Sequence, residues 1–221
     1  QFCSVAKASE VVAERWTPLI VRELVLGSHR FNDLERGLPH ISRSLLASRL
    51  RQLERAGVVE RRMEADTQRV GYYLTPAGQE LEPIIMQLGV WGQRWANRDI
   101  GPGDLDPRLL VWDMRRRIHR DRLPTRRVCV QIDFTGARKD SIWLLLEPSD
   151  VAMCLTDPGF DLDLLVTADT VALHRVWIGR LSFGSAMRDG LIRLQGARDA
   201  VRGFPRWLAL SSYASIPSAQ A

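Results

Sequence analysis

The chain has 221 residues, 45% of them hydrophobic and 26% charged, the composition of a folded globular protein rather than a collagen-like, coiled-coil or largely disordered one. No uninterrupted apolar run nears the roughly 20 residues needed to span a bilayer, and no basic start leads into an apolar stretch, so neither a membrane span nor a secretory leader is expected. The net charge is +5, and all the basic residues except Lys7 and Lys139 are arginine, a balance compatible with nucleic-acid binding that does not by itself single it out.

Residues 5–16 place Val5, Ala8, Val12 and Trp16 at helical spacing. Thr17 and Pro18 read as the start of a second helix, Thr as the cap and Pro in the first turn, which runs through Leu26 and stops at Gly27. A short helix over residues 31–37 closes at Gly37 and Pro39, and Ser42 caps a longer one that ends at Ala56 and Gly57. Residues 58–63 and 69–74 are strand-like and flank a polar turn at residues 65–68. Thr75 and Pro76 then open a last helix reaching about Arg98.

The pair 31–37 and 42–56, joined by a tight turn, has the form of a helix-turn-helix, with a hairpin directly behind it. At 100° per residue, Leu46, Leu50 and Leu53 share one side of the second helix. Ser44, Ser48, Arg51 and Arg55 cluster on the opposite side. A helix entering the major groove needs short side chains for close approach and arginines for guanine or phosphate. The same face also suits a solvated amphipathic helix, and the helix alone leaves that alternative open. On the first reading Arg51 is the base-reading candidate and Arg61, Arg62 and Arg69 of the hairpin are phosphate candidates. Ser42, Arg43, Ser44 and Ser48, near the helix start, face phosphate or base edges.

These blocks carry a resemblance. Glu14-Arg-Trp-Thr-Pro-Leu-Ile-Val-Arg-Glu-Leu24, Arg30-Phe-Asn-Asp-Leu34, Ile41-Ser42, Leu50-Arg-Gln-Leu-Glu54, Gly57-Val-Val-Glu-Arg61 and Tyr73-Leu-Thr-Pro-Ala-Gly78 together resemble the HxlR family of winged-helix transcription regulators, relatives of the MarR group. The resemblance implies a homodimer, a recognition helix over residues 42–56 and a wing over 58–74. The chain departs from the family pattern twice: Cys3 is followed by Ser4 rather than Pro, and Gly71 stands where the second wing strand usually has an acidic residue. Some members use a cysteine at this end as a redox sensor, so Cys3 is a redox candidate; a small apolar residue in a dimer contact is the alternative. Dimerisation also has a basis in the residues. Leu81, Ile84, Ile85, Leu88, Trp91, Gly92 and Trp95 form a wide apolar stripe that one small winged helix has little core to absorb.

Residues 100–107, with two Gly, two Pro and two Asp, mark a linker. Domains are therefore expected over 1–100, a winged helix-turn-helix, and over 101–221. The second half opens with a helix capped by Asp106 whose other side carries Arg115, Arg116, Arg117, Arg120 and Arg122, a basic run that reads as a solvated face, with DNA contact as the alternative. Strands follow over residues 128–134, 141–147, 151–155 and 163–168. Val128, Val130, Ile132 and Phe134 alternate strictly with Cys129, Gln131 and Asp133. Asp169 and Ser182 cap two helices that stop at Gly179 and Gly190, a fifth strand spans 191–195, and a final helix begins near Ala197. The whole is α+β, a winged helix followed by a five-stranded α/β sandwich.

Val166-Thr-Ala-Asp169, Trp177-Ile-Gly-Arg-Leu181 and the run from Ala186 to Gly196 are similar to the sterol carrier protein type 2 family, which implies helices over an apolar tunnel and a lipid or other apolar ligand. Trp143, Trp177, Phe183 and Met187 are the candidate wall residues. Metal and catalytic motifs are lacking: His29, His40, His119 and His174 have no mutual metal spacing, and Asp157, Asp161 and Asp163 read as a strand-flanking turn. Cys3, Cys129 and Cys154 are odd in number with no C-x-x-C, so no disulfide framework and no zinc site are expected, and the cytoplasm is the expected compartment. The expectation is a one-component regulator: not an enzyme, without cofactor or metal, binding double-stranded DNA as a homodimer and an apolar small molecule or lipid in its second domain. A lipid-handling or scaffolding protein whose winged helix contacts protein is the alternative. Half-sites would lie about one or two helical turns apart.

Overall fold

The structure is a computed structural model that describes residues 2–64, 68–96, 101, 103, 105–136 and 138–219. It divides into two compact units, Gln1–Gly92 and Gln93–Ala221. Ile100, Pro102 and Asp104 of the expected linker, and Arg98, lie outside the described residues.

The first unit contains α1 (Ser4–Val12), α2 (Thr17–Val25), α3 (Phe31–Gly37), α4 (Arg43–Arg55), β1 (Val59–Met63), β2 (Val70–Leu74), α5 (Pro76–Gln79) and α6 (Glu82–Trp91). Ser42 caps α4 by accepting from the Leu45 amide at 3.3 Å, and Gly57, at φ 70°, turns the chain out of the helix into β1. The hairpin is antiparallel, in register from Val59 opposite Leu74 to Met63 opposite Val70. Residues 65–67, most of the expected polar turn, lie outside the described residues. The core gathers Ile20, Val21 and Leu24 of α2, Leu34 of α3, the Leu46–Leu50–Leu53 ridge of α4, Val58 and Val59, and Ile85.

Two expectations are corrected. Thr17 is not a cap: Trp16 holds the cap position without a side-chain bond, and Thr17 lies inside the helix, buried. The single helix expected from Pro76 is two. Pro83 has no N–H to donate to the turn before it and its ring crowds that turn, so α5 stops at Gln79 and α6 restarts with Pro83 in its first turn. After α6 the chain winds one π-helical turn, Gly92–Ala96.

The second unit starts at α7 (Pro107–Arg115), capped by Asp106, whose Oδ1 accepts from the Arg108 amide at 2.8 Å. A short 3-10 turn, Arg120–Arg122, leads to β3 (Val128–Thr135), β4 (Asp140–Leu146), β5 (Val151–Cys154) and β6 (Leu164–Asp169). Then come α8 (Thr170–Trp177), α9 (Phe183–Arg188), β7 (Ile192–Gly196) and α10 (Arg198–Trp207). Asp169 and Ser182 cap α8 and α9 through the Ala172 and Ser185 amides. The five strands lie in the order β5-β4-β3-β6-β7, with β3 and β6 parallel and the other neighbours antiparallel.

The alternation of β3 decides the layers. Val128, Val130, Ile132 and Phe134 are buried in one core with Ile142, Leu144 and Leu146 of β4 and Leu164, Val166 and Ala168 of β6. Leu110, Val111 and Met114 of α7, Leu173, Val176 and Trp177 of α8, Ala186 of α9 and Phe204 and Trp207 of α10 join the same core. Helices thus cover the face of the sheet that carries this set. The opposite face carries Gln131, Asp133, Trp143 and Leu145, all half-buried.

Arg117, Arg120 and Arg122 of the basic run are exposed, as a solvated face requires, and the run is also engaged within the unit. Arg115 lies 3.6 Å over the buried Trp112 ring. Arg117, Arg120 and Arg122 donate to the carbonyls of Leu210, Ser149 and Arg206. Guanidinium groups here brace irregular segments of the unit against one another. Among the described residues no helix is long and apolar enough to cross a membrane.

Candidate nucleic-acid interface

The α4 ridge of Leu46, Leu50 and Leu53 packs inward at 2% exposure or less, which turns the opposite side of the helix to solvent. Ser42, Arg43, Ser44, Arg51 and Arg55 are exposed there, while Ser48 is half-buried. These candidates do not have equal freedom. Ser42 Oγ is engaged by the cap and lies 3.2 Å from Ser44 Oγ. Arg43 forms an ion pair with Glu35 of α3 and sits 5.0 Å over the Phe31 ring, so its guanidinium ties the two helices of the pair together. Arg51, among the described residues, makes no ion pair, which leaves its five donors for an outside acceptor.

The hairpin supplies the remaining cations. Arg61 and Arg62 are neighbours in one strand and therefore point to opposite faces. Arg61 lies 5.9 Å over Tyr72, and Arg62 lies 5.3 Å over Tyr73 and pairs with Glu60. Arg69, just before β2, is exposed. One contributor escaped the sequence reading. Arg49 bonds Glu14 at 2.6 Å and Gln52 at 2.7 Å, anchoring the flank of α4 to the turn between α1 and α2. Its place on the helix, between the two faces, signals such a bond only weakly.

The model of the HxlR-like helix-turn-helix family matches residues 11–100. The HTH-type transcriptional regulator YvaP of Bacillus subtilis is 40% identical over 101 residues, which are 45% of this chain and 90% of YvaP. The chain belongs to the HxlR-like helix-turn-helix family. The HTH-type transcriptional regulator Rv3095 of Mycobacterium tuberculosis is 44% identical over 100 residues, 45% of this chain and 63% of that protein. The redox regulator HypR in its oxidized form is 34% identical, with 44% of this chain covering 100% of that one at a TM-score of 0.41. The HxlR-like match ends at residue 100, so the five-stranded sheet lies beyond it.

Cys3 is exposed and takes the cap position of α1, where its carbonyl accepts from the Lys7 amide at 3.1 Å. Cys129 is buried on β3; burial, then the nearby carboxylates of Asp163 and Asp157, raise its thiol pKa.

The four wall candidates are not brought together. Trp177 is buried in the helix-covered core, and Phe183 packs edge-on against Phe204 at 6.2 Å. Met187 is exposed, and Trp143 lies on the other face of the sheet, opposite Gln131 and Cys154 in its neighbouring strands. An open pocket of about 330 Å³ is lined instead by Asp106, Pro107, Arg108, Arg138, Lys139 and Asp140. Its charges are largely matched internally, through Arg108–Asp140 at 2.8 Å and Arg138–Asp106 at 3.4 Å. Of the Asp157–Asp163 cluster, Asp163 bonds Arg126 and the Cys129 amide, and Asp157 closes a turn on the Gly159 amide.

Proposed function

We propose that the chain is a transcriptional regulator that binds double-stranded DNA with α4 in the major groove and the β1–β2 wing on the adjacent backbone. The observation that carries this reading is the disposition of α4. A capped helix buries one leucine ridge and presents short residues and an uncommitted Arg51 outward, with an arginine-bearing hairpin directly behind it. Membership of the HxlR-like family supports the same role.

The apolar surface left open supports a homodimer. Ile84, Leu88 and Trp91 of α6 and Trp95 beyond it are exposed by 46–60%, and α1 buries none of its residues. A second copy is the occupant that suits both a palindromic DNA site and so much uncovered apolar side chain. The second unit is read as a sterol-carrier-like effector domain for an apolar molecule, supported by its mixed five-stranded sheet with helices on one face. The cytoplasm is the compartment this role requires.

The test is binding to the duplex upstream of the chain's own gene, titrated against salt. Specific binding whose logarithmic affinity falls linearly with the logarithm of salt supports the reading. Equal affinity for that duplex and a scrambled one would sink it.

A further inference from the structure

The wing is joined to the start of α3 through one carboxylate. Arg30, the residue before α3, donates through Nη2 to Glu64 Oε2 at 3.0 Å, and Tyr73 Oη donates to Glu64 Oε1 at 3.1 Å. Glu64 follows the last residue of β1, so its two oxygens hold a helix entrance on one side and strand β2 on the other. The backbone reinforces the join: the Tyr72 amide donates to the His29 carbonyl at 2.8 Å. The His29 ring stacks on Tyr73, with centroids 4.4 Å apart and planes at 23°.

The missing side chain at Gly71 makes that arrangement possible. Gly71 and Tyr73 share a face of β2, and the Tyr73 ring folds back over Gly71 toward Glu64. A methyl group on Gly71 would lie 2.7 Å from Tyr73 Cε2 and 2.9 Å from its Oη. The requirement at this position is space, since Gly71 is not among the residues of positive φ. Burial, followed by the bond to Glu64, raises the Tyr73 pKa, consistent with the phenol donating to the carboxylate.

We infer that Glu64 is a positioning residue that sets the angle of the wing against the α3–α4 pair by bridging Arg30 and Tyr73, with Gly71 providing the room for Tyr73. The inference rests on the DNA-binding reading. It gives charge and geometry opposite signs. A carboxylate beside the wing arginines repels phosphate, so its removal should, by charge alone, tighten binding to any duplex. If Glu64 aims the wing, its removal weakens binding to the cognate duplex while general affinity holds or rises.

The experiment uses the full chain and a duplex selected from a random pool by the wild-type protein. Glu64→Gln and Tyr73→Phe should each weaken binding to that duplex, Glu64→Gln by about tenfold, with a shallower salt slope and no loss on scrambled DNA. Arg30→Glu should weaken it too, and the exchanged pair Arg30→Glu with Glu64→Arg should recover part of the loss, a rescue that assigns the effect to the Arg30–Glu64 pair rather than to either charge alone. Hydrogen exchange keeps the two readings separable. In Glu64→Gln the Tyr72 amide should lose protection while the α4 amides keep theirs, whether or not DNA binds. Wild-type protein that selects no duplex overturns the DNA reading alone. Unchanged Tyr72 protection, or Glu64→Gln binding the selected duplex as tightly as wild type or more so, overturns the positioning role.

Discussion

The carboxylate of Glu23 in α2 fills the space beside the Cα of Gly37, the last residue of α3: a methyl group there would lie 2.0 Å from Glu23 Oε2. Glu23 is fully buried, accepts from Arg22 at 2.9 Å and from Ser28 Oγ at 3.2 Å, and cannot swing away without losing those bonds. On an open helix Gly→Ala would stabilise by up to about 1 kcal/mol. Here the sign reverses. Gly37→Ala should cost about 2–4 kcal/mol, because the alanine displaces a buried, bonded carboxylate. Urea unfolding of the variant measures it; a midpoint at or above wild type would show that the helix ends can part freely.

Arg51 is the sharpest test of the DNA face. Arg51→Ala should cost roughly 1–3 kcal/mol on the cognate duplex and relax preference at one base position. Arg61→Ala and Arg69→Ala should weaken all duplexes alike and lower the salt slope by about one each. Selection of preferred sites by each variant distinguishes the two patterns. Arg51→Ala with wild-type affinity and preference would remove Arg51 from the interface.

Much of the first unit was legible because its signals are local. Ser42 before an apolar run, Gly57 after it and Leu46, Leu50 and Leu53 in phase each bear on a few neighbouring residues, and α4 follows from them. What was missed depends on distant groups. Glu64, Arg30 and Tyr73 are separated by 34 and 9 residues and meet only once the hairpin has paired. Arg49 of α4 and Glu14 of the turn between α1 and α2 meet in the same way. In the second unit the alternation of β3 told which residues share a face, but not which face the helices cover. The pattern alone therefore groups Trp143 with Trp177, from which the sheet separates it. The arginine run after Met114 is solvated at Arg117, Arg120 and Arg122, but nothing in a sequence shows the carbonyls of Leu210, Ser149 and Arg206 that these side chains also reach.

The α6 stripe predicts an obligatory association. Leu88 and Trp91 are exposed by 52% and 60%, more than an isolated folded unit leaves open at little cost. Leu88→Arg should shift the chain from dimer to monomer in sedimentation equilibrium, and DNA affinity should fall with it, since one copy engages only one half-site. Core Ile85, on the inward side of the same helix, is the control: Ile85→Val should cost about 0.5–1.5 kcal/mol of stability without changing the association state. A Leu88→Arg protein that remains dimeric would place the interface elsewhere.

His174 of α8 gives the second unit a pH signature. Burial lowers its pKa, so the folded state favours the neutral ring. The unfolded chain takes up the proton near pH 6.5 and the folded chain only below that, so the unfolded state binds more protons in between. The stabilisation is fully present above about pH 6.5 and is lost as pH falls toward the lower folded value. Urea midpoints measured from pH 8 to pH 5 should therefore decline, and His174→Gln should flatten that part of the decline. An identical profile in the variant would assign the acid sensitivity to other groups.

The effector reading makes its own prediction, and the sheet divides the candidates for it. Trp177 and Phe183 belong to the helix-covered side, whereas Trp143 lies on the other face. A neutral or weakly polar molecule entering beneath α8 and α9 should raise the melting temperature, bind with a negative heat-capacity change and perturb the fluorescence of Trp177. Trp143→Phe should leave that binding intact, and Phe183→Ala should change it, because Phe183 bridges α9 to Phe204 of α10. Any coupling to DNA requires the ligand to prefer one arrangement of the dimer, and by linkage the cognate duplex must then change ligand affinity by the same factor. A panel of fatty acids, sterols and aromatic compounds that leaves the melting temperature unmoved throughout would mean that Trp177 and Phe183 fill a core and nothing more.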